Sequence, residues 1–120
     1  MNDAKNAPPG DEIVQPIRDQ HPSRAVAVVT LTVAGADHHF VMTSQNRIER
    51  KKYIADMKAA GSDSDKIESA IENASLAQIR WPDRPVVAQL FNDRPGIILH
   101  FAEEMAKLDG TGAEVRSKNF

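Results

Sequence analysis

Four histidines and no cysteine set the limits on the chemistry open to this chain. Without cysteine there is no disulfide, no thiolate metal site and no thiol nucleophile. His38 and His39 are adjacent and precede Phe40-Val41-Met42 in a strand-like stretch. Neighbouring side chains on a strand point to opposite faces, so the pair cannot ligate one ion together. His21 and His100 lie far from them in sequence, and no carboxylate stands at ligand spacing. Asp37, His38 or His39, and Ser44 supply the residue types of a hydrolytic triad. Yet no serine sits in a nucleophile elbow, and nothing specifies an oxyanion hole. Glycine-rich phosphate loops are also missing. The residues therefore point to a non-enzymatic protein that needs no cofactor and no metal.

What remains is binding. Arg47, Arg50, Lys51 and Lys52 can follow phosphates along one helix face. Glu49 and Asp56 dilute that run, and no aromatics are interleaved with it, so it reads as a solvated face. Trp81, Leu90, Phe91, Ile98, Phe101 and Met105 are the candidate partner-binding residues. Trp81 stands between Arg80 and Pro82, and tryptophan and arginine are favoured interface anchors. Phe91 and Phe101 serve equally well as core. Phe120 follows a polar tail and is a candidate docking tip.

These residues need a scaffold, and its elements are legible. Residues 25–33 (AVAVVTLTV) are β-branched and predict a strand. A turn at 34–37 and a second strand over 38–42 complete a hairpin, with Phe40 and Met42 on the face of Leu31. A hairpin alone is marginal in water and needs a helical layer or another chain's strand. Ser44 is placed to cap a helix running to Ala60, with Arg47 standing where a capping-box acid belongs. Gly61 stops that helix. Asp65 and Glu68 have capping-box spacing for the next one. Ile67, Ala70, Ile71, Ala74, Ala77 and Gln78 make its stripe, and it must end by Arg80 or Trp81, before Pro82. Asp83-Arg84-Pro85 and Asp93-Arg94-Pro95 each start a further helix. The first carries Val86, Val87, Leu90 and Phe91. The second carries Ile97, Ile98, Phe101, Ala102, Met105 and Leu108, and Gly110 ends it.

The predicted architecture is α+β: an N-terminal β-hairpin packed on a bundle of about four helices, with a helix-rich C-terminal half. Residues 1–23 read as a flexible N-terminal arm, broken by Pro8, Pro9, Pro16 and Pro22, with a short apolar patch at Ile13, Val14 and Ile17. Residues 24–110 form the single domain, and 111–120 a flexible tail. A chain of 120 residues is one domain in size. Its six aromatics leave the core to Val, Ile, Leu, Met and Ala. A net charge of -2 exerts no overall pull on nucleic acid or anionic membrane. No apolar leader or membrane-length run is present, which predicts a cytoplasmic setting.

The order of elements resembles the small tail assembly chaperones of long-tailed bacteriophages and related prophages. The resemblance runs over 25–110. It rests on Phe40-Val41-Met42-Thr43-Ser44 leading into the first helix, Tyr53 within it, Pro82-Asp83 after the second, Leu90-Phe91 in the short helix, and Pro95-Gly96-Ile97-Ile98 opening the last. It implies a protein of the bacterial host cytoplasm that binds the tape-measure protein, keeps it soluble and recruits tail-tube subunits during tail morphogenesis. It implies no enzymatic activity. An exposed hairpin edge and an alanine-rich helix also suit a homo-oligomer. Two other readings stand beside it. One is a small phage-encoded inhibitor or regulator that binds a host protein. The other is a nucleic-acid binder using the basic helix 45–60.

Overall fold

A computed structural model of the chain describes residues 7–110. Strands β1 (Val26–Val33) and β2 (Ala36–Thr43) form the hairpin. Its turn is two residues, not four: Ala34 and Gly35 have φ of 51° and 81°, and Val33 pairs directly with Ala36. Two left-handed residues match the right-handed twist of the flanking strands. Ala36 and Asp37 therefore belong to β2. In this register Ala27, Val29 and Leu31 lie across from Met42, Phe40 and His38, so all six share a face, as the alternation predicted. Thr30 and Thr32 share the other face with His39 and Asp37. Their hydroxyls bond the His39 Nδ1 at 2.8 Å and the Asp37 carboxylate at 2.6 Å.

A third strand, β3 (Ile79–Trp81), adds antiparallel to β2, with an irregularity between Val41 and Met42. The sheet order is β1-β2-β3. The helical stripe of 67–78 predicts helix up to Arg80 or Trp81 and no strand here. Three residues are too few for a period, and only the waiting edge of β2 selects extended backbone for them.

Five α-helices occur among the described residues. The first, α1 (Asp11–Gln20), occupies what read as a broken arm. Pro16 costs it one backbone hydrogen bond. Asp11 and Glu12 in the first turn and Arg18 in the last suit the helix dipole, and Val14 is buried, so tertiary contact outweighs the break. The second, α2 (Arg47–Ala60), starts later than expected. Its cap is Asn46, not Ser44. The Asn46 side chain accepts the Glu49 N–H, and the Glu49 carboxylate accepts the Asn46 N–H, both at 2.9 Å, so the capping box is complete. Ser44 is instead spent on the sheet, where its Oγ accepts the Ala25 N–H at 3.0 Å. Helix α3 (Ser64–Gln78) is capped by Asp63, whose Oδ1 accepts from Asp65 and Lys66. Helix α4 (Arg84–Asp93) follows Asp83. A 3-10 turn (Pro95–Ile97) then leads into α5 (Ile98–Leu108). The start at Asp83-Arg84-Pro85 stands, whereas Asp93 is the last residue of α4 and Pro95 opens the 3-10 turn, so α5 begins three residues later than expected.

The core lies between the sheet and the helices. Val29, Phe40 and Met42 meet Ile71 of α3, Val87 and Phe91 of α4, and Ile98, Phe101 and Met105 of α5. Phe101 is its centre. Its ring lies 5.1 Å from Phe40, edge to face, and 5.4 Å from Phe91. Such geometry adds about 0.5–1.5 kcal/mol per pair beyond area burial. Val14 and Val41 are buried apart from this cluster. The end of α5 is tied to the start of α2. Asp109, its side chain 3% exposed, accepts the Gln45 N–H at 2.8 Å and faces the Arg50 guanidinium at 3.5 Å. No helix among the described residues is long and apolar enough to cross a membrane.

Candidate protein-binding cleft

The six residues expected to contact a partner divide sharply. Phe91, Ile98, Phe101 and Met105 are each at most 2% exposed, and they are the core rather than a docking face. Their burial corrects that expectation. The reason is periodicity: 98, 101 and 105 form a single helical stripe, which is buried among Phe40 and Met42 of the sheet, Ile71 of α3 and Phe91 of α4. Trp81 and Leu90 are half-buried, and the structure brings those two together.

They line a cleft of about 380 Å³ between β2, the β3–α4 junction and α4. Phe40 and Val87, both 1% exposed, are its floor. Trp81, Pro82, His38 and Leu90 are its walls, and Val86 stands on its lip at 58% exposure. The rim is polar and acidic: Asp37, Gln89 and Asp93. Gln89 donates to Asp93 at 2.9 Å, and Asp37 is held by Thr32. Helix α4 thus carries two apolar stripes one residue apart. Val87 and Phe91 face inward, and Val86 and Leu90 face the cleft. Val86, Pro82 and His38 are not among the six residues expected to contact a partner. Adjacent residues on a helix lie about 100° apart, so with Val87 and Phe91 centred on the core Val86 falls at the edge of that face.

A second, wider cleft of about 600 Å³ runs from the hairpin tip (Leu31, Val33) to the 3-10 turn (Pro95, Ile97) and His100. Asp93 borders both clefts. Together they wrap the hairpin end of the molecule with apolar surface and a carboxylate between.

The other chemistry-bearing residues are placed differently. His38 and His39 do project to opposite sides of the sheet, with His39 engaged by Thr30. Among the described residues, no group of three or more His, Asp or Glu is arranged to hold a metal ion. Asp37 is spent on Thr32, and Ser44 on the Ala25 backbone. On α2, Arg50 pairs with Asp109 and Lys52 with Asp56, so half of the basic run is neutralised within the chain. Phe120 lies outside the described residues.

At the far end of the sheet a polar cluster joins three elements. Arg24 donates to Glu49 at 2.8 Å, and Arg80 donates its Nε–H to the buried Thr43 hydroxyl at 3.0 Å. Burial works to raise the Glu49 carboxyl. Hydrogen bonds from the Asn46 backbone and the Gln78 side chain, with the charges of Arg24 and Arg80, outweigh it and hold the group below its ordinary value. Partial burial, Arg80 and Arg24 hold the His21 imidazole down. This cluster fastens α2 to the sheet.

Compared with protein-family models, curated proteins and solved structures, the chain matches none.

Proposed function

We propose that this chain is a non-enzymatic binding protein that receives an amphipathic helix of its partner in the cleft between β2 and α4. Within that class, we infer a tail assembly chaperone of a long-tailed phage, acting in the bacterial host cytoplasm. It holds the tape-measure protein in soluble form and recruits tail-tube subunits to it. The observation that carries the reading is the second stripe of α4. Val86, which is exposed and outside the core, and Leu90, which packs on the core by one side only, form with Trp81 and Pro82 a concave apolar surface. A helix docks into such a groove through apolar side chains at i, i+3 or i+4, and i+7. The carboxylates of Asp37 and Asp93 on the rim favour basic residues flanking that apolar face.

The test is co-expression with the tape-measure protein. The native chain is expected to keep it in the soluble fraction, and V86E is expected to lose this while folding normally. A tape-measure protein whose solubility does not change with the native chain rejects the chaperone reading. Full activity of V86E rejects the cleft as its docking site.

A further inference from the structure

We propose that the free edge of β1 pairs antiparallel with the same edge of a second copy of this chain, joining two three-stranded sheets into one of six strands. This stands apart from the chaperone reading and uses none of the cleft.

Strand β1 is the outer strand of the sheet, eight residues long. Its hydrogen-bonding alternation is set at both ends. Val33 faces Ala36 across the two-residue turn, and the Ser44 N–H donates to the Ala25 carbonyl at 2.9 Å. Ala25, Ala27, Val29, Leu31 and Val33 therefore bond inward to β2. Val26, Val28, Thr30 and Thr32 direct their N–H and C=O groups outward. Among the described residues, no group outside the sheet hydrogen-bonds to those four. Unpaired edges are ordinarily blunted by lysine, proline, a bulge or short length. Here 25–36 holds neither charge nor proline, and the one irregularity of the sheet lies between β2 and β3.

The edge is complementary to itself. With a two-fold axis at Val29, Val28 lies opposite Thr30 of the second copy and Val26 opposite its Thr32. All four outward residues meet outward residues, and about eight hydrogen bonds result. On the core face Val29 meets Val29, and Leu31 meets the small Ala27. On the other face valine meets threonine throughout. No charge faces a charge, and a net charge of -2 per chain opposes association only weakly. A foreign strand can satisfy the backbone, but this pairing of large against small and valine against threonine is supplied by a second copy. Strand pairing alone buries less than the roughly 800 Å² per partner of a standard interface, so the dimer is expected to dissociate at about micromolar concentration.

Sedimentation equilibrium from roughly 1 to 500 µM, together with amide exchange, tests this. A monomer–dimer equilibrium is expected. Val28 is 40% exposed, and V28K places a lysine on the edge without touching the core cluster, so it should weaken the dimer by at least tenfold. In the unmodified protein the Val28 and Thr30 amides should gain at least tenfold protection as the dimer forms. A monomer throughout overturns the proposal. So does a dimer that V28K leaves intact, or one in which those amides exchange as freely as in the monomer. Protection of the amides without dimerisation also overturns it and gives the edge to another segment of the chain. The exchange measurement uses the native sequence, so it decides the matter even where V28K folds poorly.

Discussion

Glu49 serves α2 and the sheet at once. Its carboxylate closes the capping box with Asn46 and receives Arg24 at 2.8 Å. Its folded-state value is depressed, so the unfolded chain binds more protons around the carboxylate range. The stability it contributes is then fully present above the ordinary value of 4.5 and is lost as pH falls through the lower folded value. Urea midpoints measured from pH 3 to 7 should show the native protein and E49Q converging at the acid end. A constant gap between them would mean that the ion pair and cap do not titrate with folding. The sequence already held half of this: Asn46 and Glu49 have cap spacing, but Ser44 offered a competing start. Only the Ala25 N–H, brought to the Ser44 hydroxyl by the hairpin register, removes that competitor.

Turn chemistry is the weak point of the hairpin as an element. Ala34 holds φ at 51°, a left-handed conformation that costs an L-residue with a Cβ about 1–2 kcal/mol. Asparagine tolerates this position and is favoured before glycine in such turns. A34N is expected to stabilise the protein by about 0.5–1 kcal/mol, read as a higher urea midpoint with an unchanged slope. A lower midpoint would show that Ala34 is not left-handed in solution. The helices were more legible than the sheet. The proline that leads into α4, the proline of the 3-10 turn before α5 and the glycine after α5 are local signals. The short strand β3 has none, and Pro16 inside α1 argued against a helix that exists. In both cases contact with the rest of the molecule outweighs local preference.

On the scale of the whole molecule, apolar surface is divided between one core and the two clefts at the hairpin end. F101A removes the ring that joins Phe40 to Phe91 and should cost about 3–5 kcal/mol, a large share of a small domain's total. Thermal unfolding measures this, and a loss under about 1 kcal/mol would mean that Phe101 is not central. V86E, at an exposed position, should change stability by no more than about 0.5 kcal/mol. The two substitutions separate folding from binding, which the list of apolar residues by itself cannot do.

By itself the sequence determined the α+β class, the hairpin, the four later helices in order and the inward face of the sheet. All of these follow from period, capping residues and proline or glycine punctuation within a few residues of each other. The tertiary structure decided which apolar residues are core and which are left to line the cleft, because a helical stripe shows only that a face is apolar. It also decided that 79–81 is a strand, paired with β2, and that 11–20 is a helix, with Val14 buried. The edge of β1 stands between the two. Its uncharged composition is written in the sequence, but that it is an edge, with four residues turned outward, is a property of the assembled sheet.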